Sequence, residues 1–430
     1  MITFYGDTIL FNPLESHHGN RYLHINIDNP VDQHEHFTGH PQLDYSVFES
    51  VTDSVEFKPF EEYTSGKNVV AIGLHGGWSV LKLKLIQAWF VNDPGRLQAW
   101  LDPDCLILLD YSEEGFCYEV FADLDRWITD NNLNHRVLYV SSAYNVSDLY
   151  SKWCARHRRR ENMRSAWYGF FPNWLLNDHG NSTLTAQPAV WQTNTRRYMC
   201  LNRRPHPHRI LLVTLLERFK LLESGAVSMP RDFAESEVIW QADDWDIPYQ
   251  WQELADRFNG YIDYLNADFE RVYAKLPLIA DTADFSINYA LNLNEDFYKD
   301  YPINVISETL FFSESAFASE KIWKPMLAEQ IFFVMAAPFY LKCLREMGFQ
   351  TFAPYVNEDY DTIADPDLRA VEMVRSLKQV LALDEPEFLV LLDRCRPVLE
   401  HNRRVLLDKT TLRQVINSDV ARAIDNSWHT

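Results

Sequence analysis

Apolar residues in this chain gather in short, unbroken runs rich in β-branched side chains. NVVAIGL (residues 68–74), DCLILLD (104–110), HRVLYVSS (135–142) and SAWYGFF (165–171) are the first four. Each is followed by a loop or by apolar positions at helical spacing, near residues 118–131 and through YNVSDLYSKWCARHRR (144–159). Strand–loop–helix alternation of this kind predicts a largely parallel sheet covered by helices, with ligands beyond the carboxyl ends of the strands.

A polar, turn-rich stretch, LNDHGNSTLTAQPAVWQTNT (176–195), interrupts the pattern, and a second alternation follows it. RRYMCLN (196–202) predicts a strand and HRILLVTLLERFKLL (208–222) a helix. An acidic, Trp-rich insertion precedes a predicted helix over 251–275. Then come INVISE (303–308) as a strand, a short helix, IFFVMA (331–336) as a strand, and PFYLKCLREMG (338–348) as a helix stopped by Gly348. From about Asp367 the pattern is helical. The expected fold is α/β, with two Rossmann-like domains facing a cleft: residues 1–190, and residues 191–430 with a helical C-terminal part.

Length and composition agree with that division. At 430 residues the chain exceeds what one core usually serves, and 47% hydrophobic residues suffice for two. The opening MITFYGDTILFNP lacks the features of a signal peptide, and no apolar run is long enough to span a membrane. A cytoplasmic protein is the expectation. Six scattered cysteines contain no CxxC pair, which argues against a disulfide framework and a zinc site. The net charge of −21 opposes a protein that grips a polyanion over its whole surface. Basic residues nevertheless cluster, in RHRRRENMR (156–164) and RRYMCLNRRPHPHR (196–209).

The second cluster sits at a strand-to-helix junction. Asn202 closes the strand, and RRPHPHR leads into the next helix. A helix N-terminus suits an anion, and Arg203, Arg204 and Arg209 add forked donors matched to phosphate oxygens. Pro205 and Pro207 hold the loop extended. SESAFASEKIWKPMLAEQIFFV (313–334) repeats the arrangement. Ser319 is a good N-cap, and Glu320 and Lys321 fall in the first turn, with Lys324 one turn on. A lysine set against the helix dipole is explained by an anion bound beside it. Glu320 has two oxygens for the two hydroxyls of a ribose.

YMCLNRRPHPHRILLVTLLERFKLLESGAV (198–227) and ISETLFFSESAFASEKIWKPMLAEQIFFVMAAPFYLKCLREMGFQTF (306–352) together resemble the donor half of α1,3-fucosyltransferase-like enzymes. They also resemble related glycosyltransferases of phages and bacteria. The resemblance implies a two-Rossmann-domain (GT-B type) glycosyltransferase. It implies that Arg209 contacts the pyrophosphate, that Glu308 is the acid of the first donor element, and that Glu320 and Lys321 meet ribose and phosphate. Thr309 and Leu310 stand where that pattern has Asn-Ser, and Ser319 stands where it has Thr, so the donor sugar stays unassigned.

The first half is expected to carry the acceptor and the base. LLDYSEEGF puts Asp110, Glu113 and Glu114 just past a strand end, and an inverting transfer needs one carboxylate to deprotonate the acceptor hydroxyl. Glu114 is the first choice, since the resemblance implies a base in an acidic loop of this domain. GLHGGWS offers His75 and Gly76 to the acceptor, and Arg158 and Arg159, in the first basic cluster, offer positive charge to the phosphates of a DNA acceptor. No convincing Asp-x-Asp metal motif occurs, so leaving-group charge falls to Arg209, Lys321 and helix dipoles, with neither metal nor cofactor expected. The expected function is sugar transfer from a nucleotide-sugar donor to a hydroxyl of a glycan. A hydroxymethylated pyrimidine in phage DNA is the alternative acceptor, and a non-catalytic nucleotide- or glycan-binding module is the alternative of another class.

Overall fold

The structure is a computed structural model. It describes residues 2–6, 25–26, 38–39, 55–74, 80–112, 114–115, 117–172, 196–231, 247–257, 262–283 and 295–428. The chain divides into two compact units, Met1–His179 with Ser315–Ala318 and Lys409–Thr430, and Gly180–Glu314 with Ser319–Asp408. The expected boundary at residue 190 lies outside the described residues. Residues 409–430, expected in the second domain, pack with the first.

Among the described residues, the first unit is built on six parallel strands: β1 (Ile2–Gly6), β4 (Val55–Pro59), β5 (Asn68–Gly73), β6 (Cys105–Tyr111), β7 (Val137–Ser141) and β8 (Arg164–Trp167). Two short segments, β2 (Ile25–Asn26) and β3 (Thr38–Gly39), form a separate antiparallel pair. The sheet order is β4-β1-β5-β6-β7-β8. β5, β6 and β7 are buried along their whole length, which is why they read as unbroken apolar runs. The described helices are α1 (Val80–Val91), α2 (Pro94–Leu101), α3 (Tyr118–Asp130) and α4 (Val146–His157). Asp93 caps α2 by accepting from Arg96 N at 2.9 Å, with Pro94 at its first position.

The helix Lys409–Asp425 completes this unit. Val420 and Ile424 join the core formed by Val69, Leu106, Leu138 and Val140. Asp419 accepts a hydrogen bond from Trp167 N at 2.8 Å, and Trp428 Nε1 donates to Asp104 O at 3.0 Å.

Among the described residues, the second unit holds four parallel strands, β9 (Tyr198–Leu201), β10 (Gly225–Ser228), β11 (Ile303–Ser307) and β12 (Ile331–Met335), in the order β10-β9-β11-β12. Its helices are α5 (Pro207–Arg218), α6 (Ile247–Arg257), α7 (Asn266–Tyr273), α8 (Glu295–Tyr298), α9 (Glu320–Leu327), α10 (Tyr340–Glu346), α11 (Pro366–Leu381) and α12 (Glu385–Leu407). The helix Lys409–Asp425 is thus α13. α6 and α7 stand where a single helix over 251–275 was expected. From His208 to Leu216 every residue of α5 is buried, so this helix lies inside the unit. Gly348, at φ +94°, ends α10 as expected.

Both sheets are wound from their first strand in two directions. In the second unit β10 lies on one side of β9, while β11 and β12 lie on the other, so the winding reverses between β9 and β11. The carboxyl ends of two such strands diverge into opposite connections and leave a crevice, the usual ligand position in doubly wound sheets. Among the described residues, no helix is long and apolar enough to cross a membrane.

Candidate active site

The two loops flanking that reversal carry the residues singled out from the sequence. After β9 the chain runs through Asn202, which is buried and donates from Nδ2 to Ser228 O at 3.3 Å. The Asn202 Oδ1 atom is buried without a hydrogen-bond partner. Extended backbone at His206 (φ −66°, ψ 149°) brings the chain to Pro207, the first residue of α5. Pro207 suits that position because its fixed φ is already helical and the amide it lacks would be unbonded anyway. Arg209 follows in the first turn.

Arg209 is buried, and its Nη1 donates to Arg204 O at 3.3 Å, while its Nε is buried and unpartnered. Burial pulls the guanidinium down to about 10, opposed by Glu320 and reinforced by Arg204. It therefore stays charged at neutral pH. Burial likewise pushes His206 down to about 2, helped by the charge of Arg209 and the neighbouring His208 and Arg204. His206 is thus a neutral imidazole. His208 stacks on His206 with ring centroids 6.0 Å apart, and its Nε2 donates to Glu308 O at 2.8 Å. That bond links the two loops.

After β11, Glu308 is fully buried. It accepts from Ser319 N at 3.2 Å, from Ser319 Oγ at 2.5 Å and from the Tyr340 hydroxyl at 2.7 Å. Burial raises its carboxyl above the usual range, although Lys321, Ser319 and Tyr340 oppose the rise. Ser319 is the N-cap of α9, accepting from Lys321 N at 3.4 Å, as the sequence predicts. Lys321 Nζ donates to Ser319 Oγ at 3.0 Å, to Thr309 Oγ1 at 3.3 Å and to Glu320 Oε1 at 2.9 Å. Burial works to raise the Glu320 carboxyl, but Lys321 and Lys324 outweigh it and hold the group below its ordinary value. It is ionised.

Three further side chains complete the cluster without any local sequence signal. Arg203 pairs with Asp281, which also accepts from Ser228 Oγ at 2.8 Å. Tyr298 lies within electrostatic reach of Glu320, Asp281 and Arg203, with its hydroxyl pushed up by burial. Tyr340 holds Glu308 from α10. Among the described residues, the crevice gathers five cations, Arg203, Arg204, Arg209, Lys321 and Lys324, against three acids, Asp281, Glu308 and Glu320. In a chain of net charge −21 this is a strong local inversion.

Not all the predicted site residues fall together. In the first unit, Asp110 is buried near the carboxyl end of β6 and accepts from Ser112 N at 3.0 Å. Glu114 is half-buried, and its carbonyl accepts from Ser142 N at 3.2 Å and Ser141 Oγ at 3.1 Å, which pins the acidic loop to the end of β7. Phe317 packs directly on Gly115, where a Cβ would lie 2.5 Å from its ring. Arg158 and Arg159 are exposed beyond the C-terminal end of α4, at the amino edge of the sheet, away from Asp110 and Glu114. Arg159 faces Asp125 at 3.6 Å. Because α4 runs antiparallel to the strands, these arginines lie at the edge of the sheet opposite the acidic loop. His75, Gly76 and Glu113 lie outside the described residues. Among the described residues, no group of three or more His, Cys, Asp or Glu side chains is arranged to hold a metal ion.

No family model and no curated protein matches this chain. Solved structures similar to it include an α,α-trehalose-phosphate synthase (UDP-forming) from Burkholderia vietnamiensis, at 11% identity and a TM-score of 0.43, covering 85% of this chain and 74% of the other. A glycosyltransferase from Rickettsia africae ESF-5 is similar at 9% identity and a TM-score of 0.35, covering 83% of this chain and 90% of the other.

Proposed function

We propose that this chain is a glycosyltransferase of the two-Rossmann-unit (GT-B) type that moves a sugar from a nucleotide-sugar donor to an acceptor hydroxyl. The observation that carries this is the meeting of two helix N-termini, α5 and α9, at the strand-order reversal of the second sheet, with Arg209 on one and the Glu320–Lys321 pair on the other. Backbone amides, a guanidinium and an ammonium together suit a diphosphate. An ionised Glu320 beside them suits the hydroxyls of the attached ribose.

When the glycosidic bond breaks, negative charge grows on the diphosphate. Arg209, Lys321 and the helix dipoles are fixed before the reaction and need no reorganisation to stabilise that charge, so transfer needs no divalent metal. Glu114 is the general base in this proposal, with Asp110 and Glu113 as alternatives, and direct attack by the acceptor oxygen inverts the anomeric centre. A glycan hydroxyl is the acceptor class we carry forward. A hydroxymethylated DNA base is less favoured, because Arg158 and Arg159 stand at the other edge of the sheet from Glu114.

Calorimetric titration with UDP, GDP, CDP and ADP tests the donor site. One nucleotide is expected to bind, and Lys321→Ala or Arg209→Ala to weaken it by roughly tenfold or more. Incubation with that nucleotide's sugar conjugates and a glycan panel should then give transfer that persists in EDTA and drops at least ~100-fold in Glu114→Gln. Nucleotide binding with no transfer, unaltered by Glu114→Gln, would instead identify a binding module.

A further inference from the structure

Glu308 matches a donor contact by sequence, yet none of it is exposed and three of its lone-pair sites are occupied by protein donors. What it does follows from the hydrogen-bond capacity of its neighbour. A serine hydroxyl has one hydrogen to donate and two lone pairs to accept with. The Ser319 hydrogen goes to Glu308 Oε2 at 2.5 Å, which leaves both lone pairs for Lys321: its backbone N at 3.4 Å and its Nζ at 3.0 Å. Glu308 Oε1 also holds Ser319 N at 3.2 Å, so the N-cap residue is fixed by backbone and side chain alike. Tyr340, from a helix beyond the next strand, donates to that same oxygen and stabilises a carboxylate that has no contact with solvent.

We infer that Tyr340, Glu308 and Ser319 form a positioning chain whose function is to hold the Lys321 ammonium beside the phosphates of the nucleotide, where its bond to Thr309 or Glu320 gives way to a phosphate oxygen, with Glu308 and Tyr340 acting on the donor only through Lys321. The inference rests on the donor site proposed above. A glutamine at 308 has an amide that donates to Ser319 Oγ and turns the serine hydrogen towards Lys321 Nζ, displacing the ammonium. A phenylalanine at 340 removes one donor to the carboxylate and loosens the chain less.

A double-mutant cycle separates this role from a structural one. Wild type, Lys321→Met, Glu308→Gln, Tyr340→Phe and the two doubles with Lys321→Met are titrated with ADP, CDP, GDP, UDP and inorganic pyrophosphate, with melting temperatures recorded for each. Glu308→Gln should weaken the binding probe about tenfold and Tyr340→Phe about threefold in wild type, but each less than about twofold in Lys321→Met. Equal losses in both backgrounds, or no loss in either, overturn the positioning role and leave the donor site standing. Failure of wild type to bind any probe overturns the donor site and this inference with it. If Glu308→Gln does not fold, Tyr340→Phe, which deletes a single hydroxyl, runs the same cycle.

Discussion

Lys324 is the side chain in the crevice whose charge is most open to control by pH. Burial pushes its ammonium down to about 8, Glu320 resists, and Lys321 and Arg203 add to the fall. A bound diphosphate would favour the charged form, so binding near pH 8 should take up a proton. Affinity for a nucleoside diphosphate should therefore decline from pH 7 to pH 9, and Lys324→Arg should flatten the decline; titrations in buffers of different ionisation enthalpy measure both. Asp367 gives a second test, of stability. Half-buried and facing Asp365, it is raised to about 6 from an ordinary 3.8. A carboxyl raised in the native state resists ionisation there, so the native state loses stability as pH climbs from about 4 through 6. Asp367→Asn should be more stable than wild type at pH 7 by about 1 kcal/mol after allowance for solvent screening, and equal to it below about pH 4, by chemical denaturation. Ser319, Glu320, Lys321 and Arg209 were legible in the sequence because capping and charge at a helix start are local signals. Asp281, Tyr298 and Tyr340 were not, since they reach the site through tertiary packing and nothing beside them in sequence marks the destination.

Among the elements, most strands found by their apolar runs are buried along their whole length, β5 to β7, β11 and β12, while β8, at the edge of its sheet, is buried only in its second half. β1 and β4 escaped because ITFYG and VEFKP carry polar side chains among the apolar ones. β10 escaped because GAVS is short and made of small residues, for a reason that packing supplies. Gly225 pairs with Tyr198 across the sheet, and a Cβ there would fall 2.1 Å from the tyrosine ring. Tyr198 is fully buried, with its hydroxyl donating to Leu221 O at 3.0 Å, so the ring has nowhere to retreat. Gly225→Ala should destabilise the protein by about 2 kcal/mol or more in thermal or urea unfolding, and Tyr198→Leu should recover part of that loss in the double variant.

At the scale of the whole molecule, the chain passes between its units four times, after His179, Glu314, Ala318 and Asp408. The division into two α/β halves could be read from the repeated alternation of runs. The returns could not, because a helical pattern such as 409–425 shows an apolar face without saying which sheet it will cover. Deleting residues 409–430 removes Val420 and Ile424 from the core of the first unit and leaves Trp167 N without its carboxylate. Calorimetry of that variant should show the first unit melting early or already unfolded, separately from the second. The same feature bears on how the protein is made. Domains usually fold as they leave the ribosome, the N-terminal one first. Here the first unit waits for residues 180–408 to be synthesised before its last helix exists, a delay on the order of 10 to 50 s at ordinary elongation rates. During that interval the core residues Val69, Leu106, Leu138 and Val140 lack the helix that packs on them, so the half of the chain made first is the half finished last.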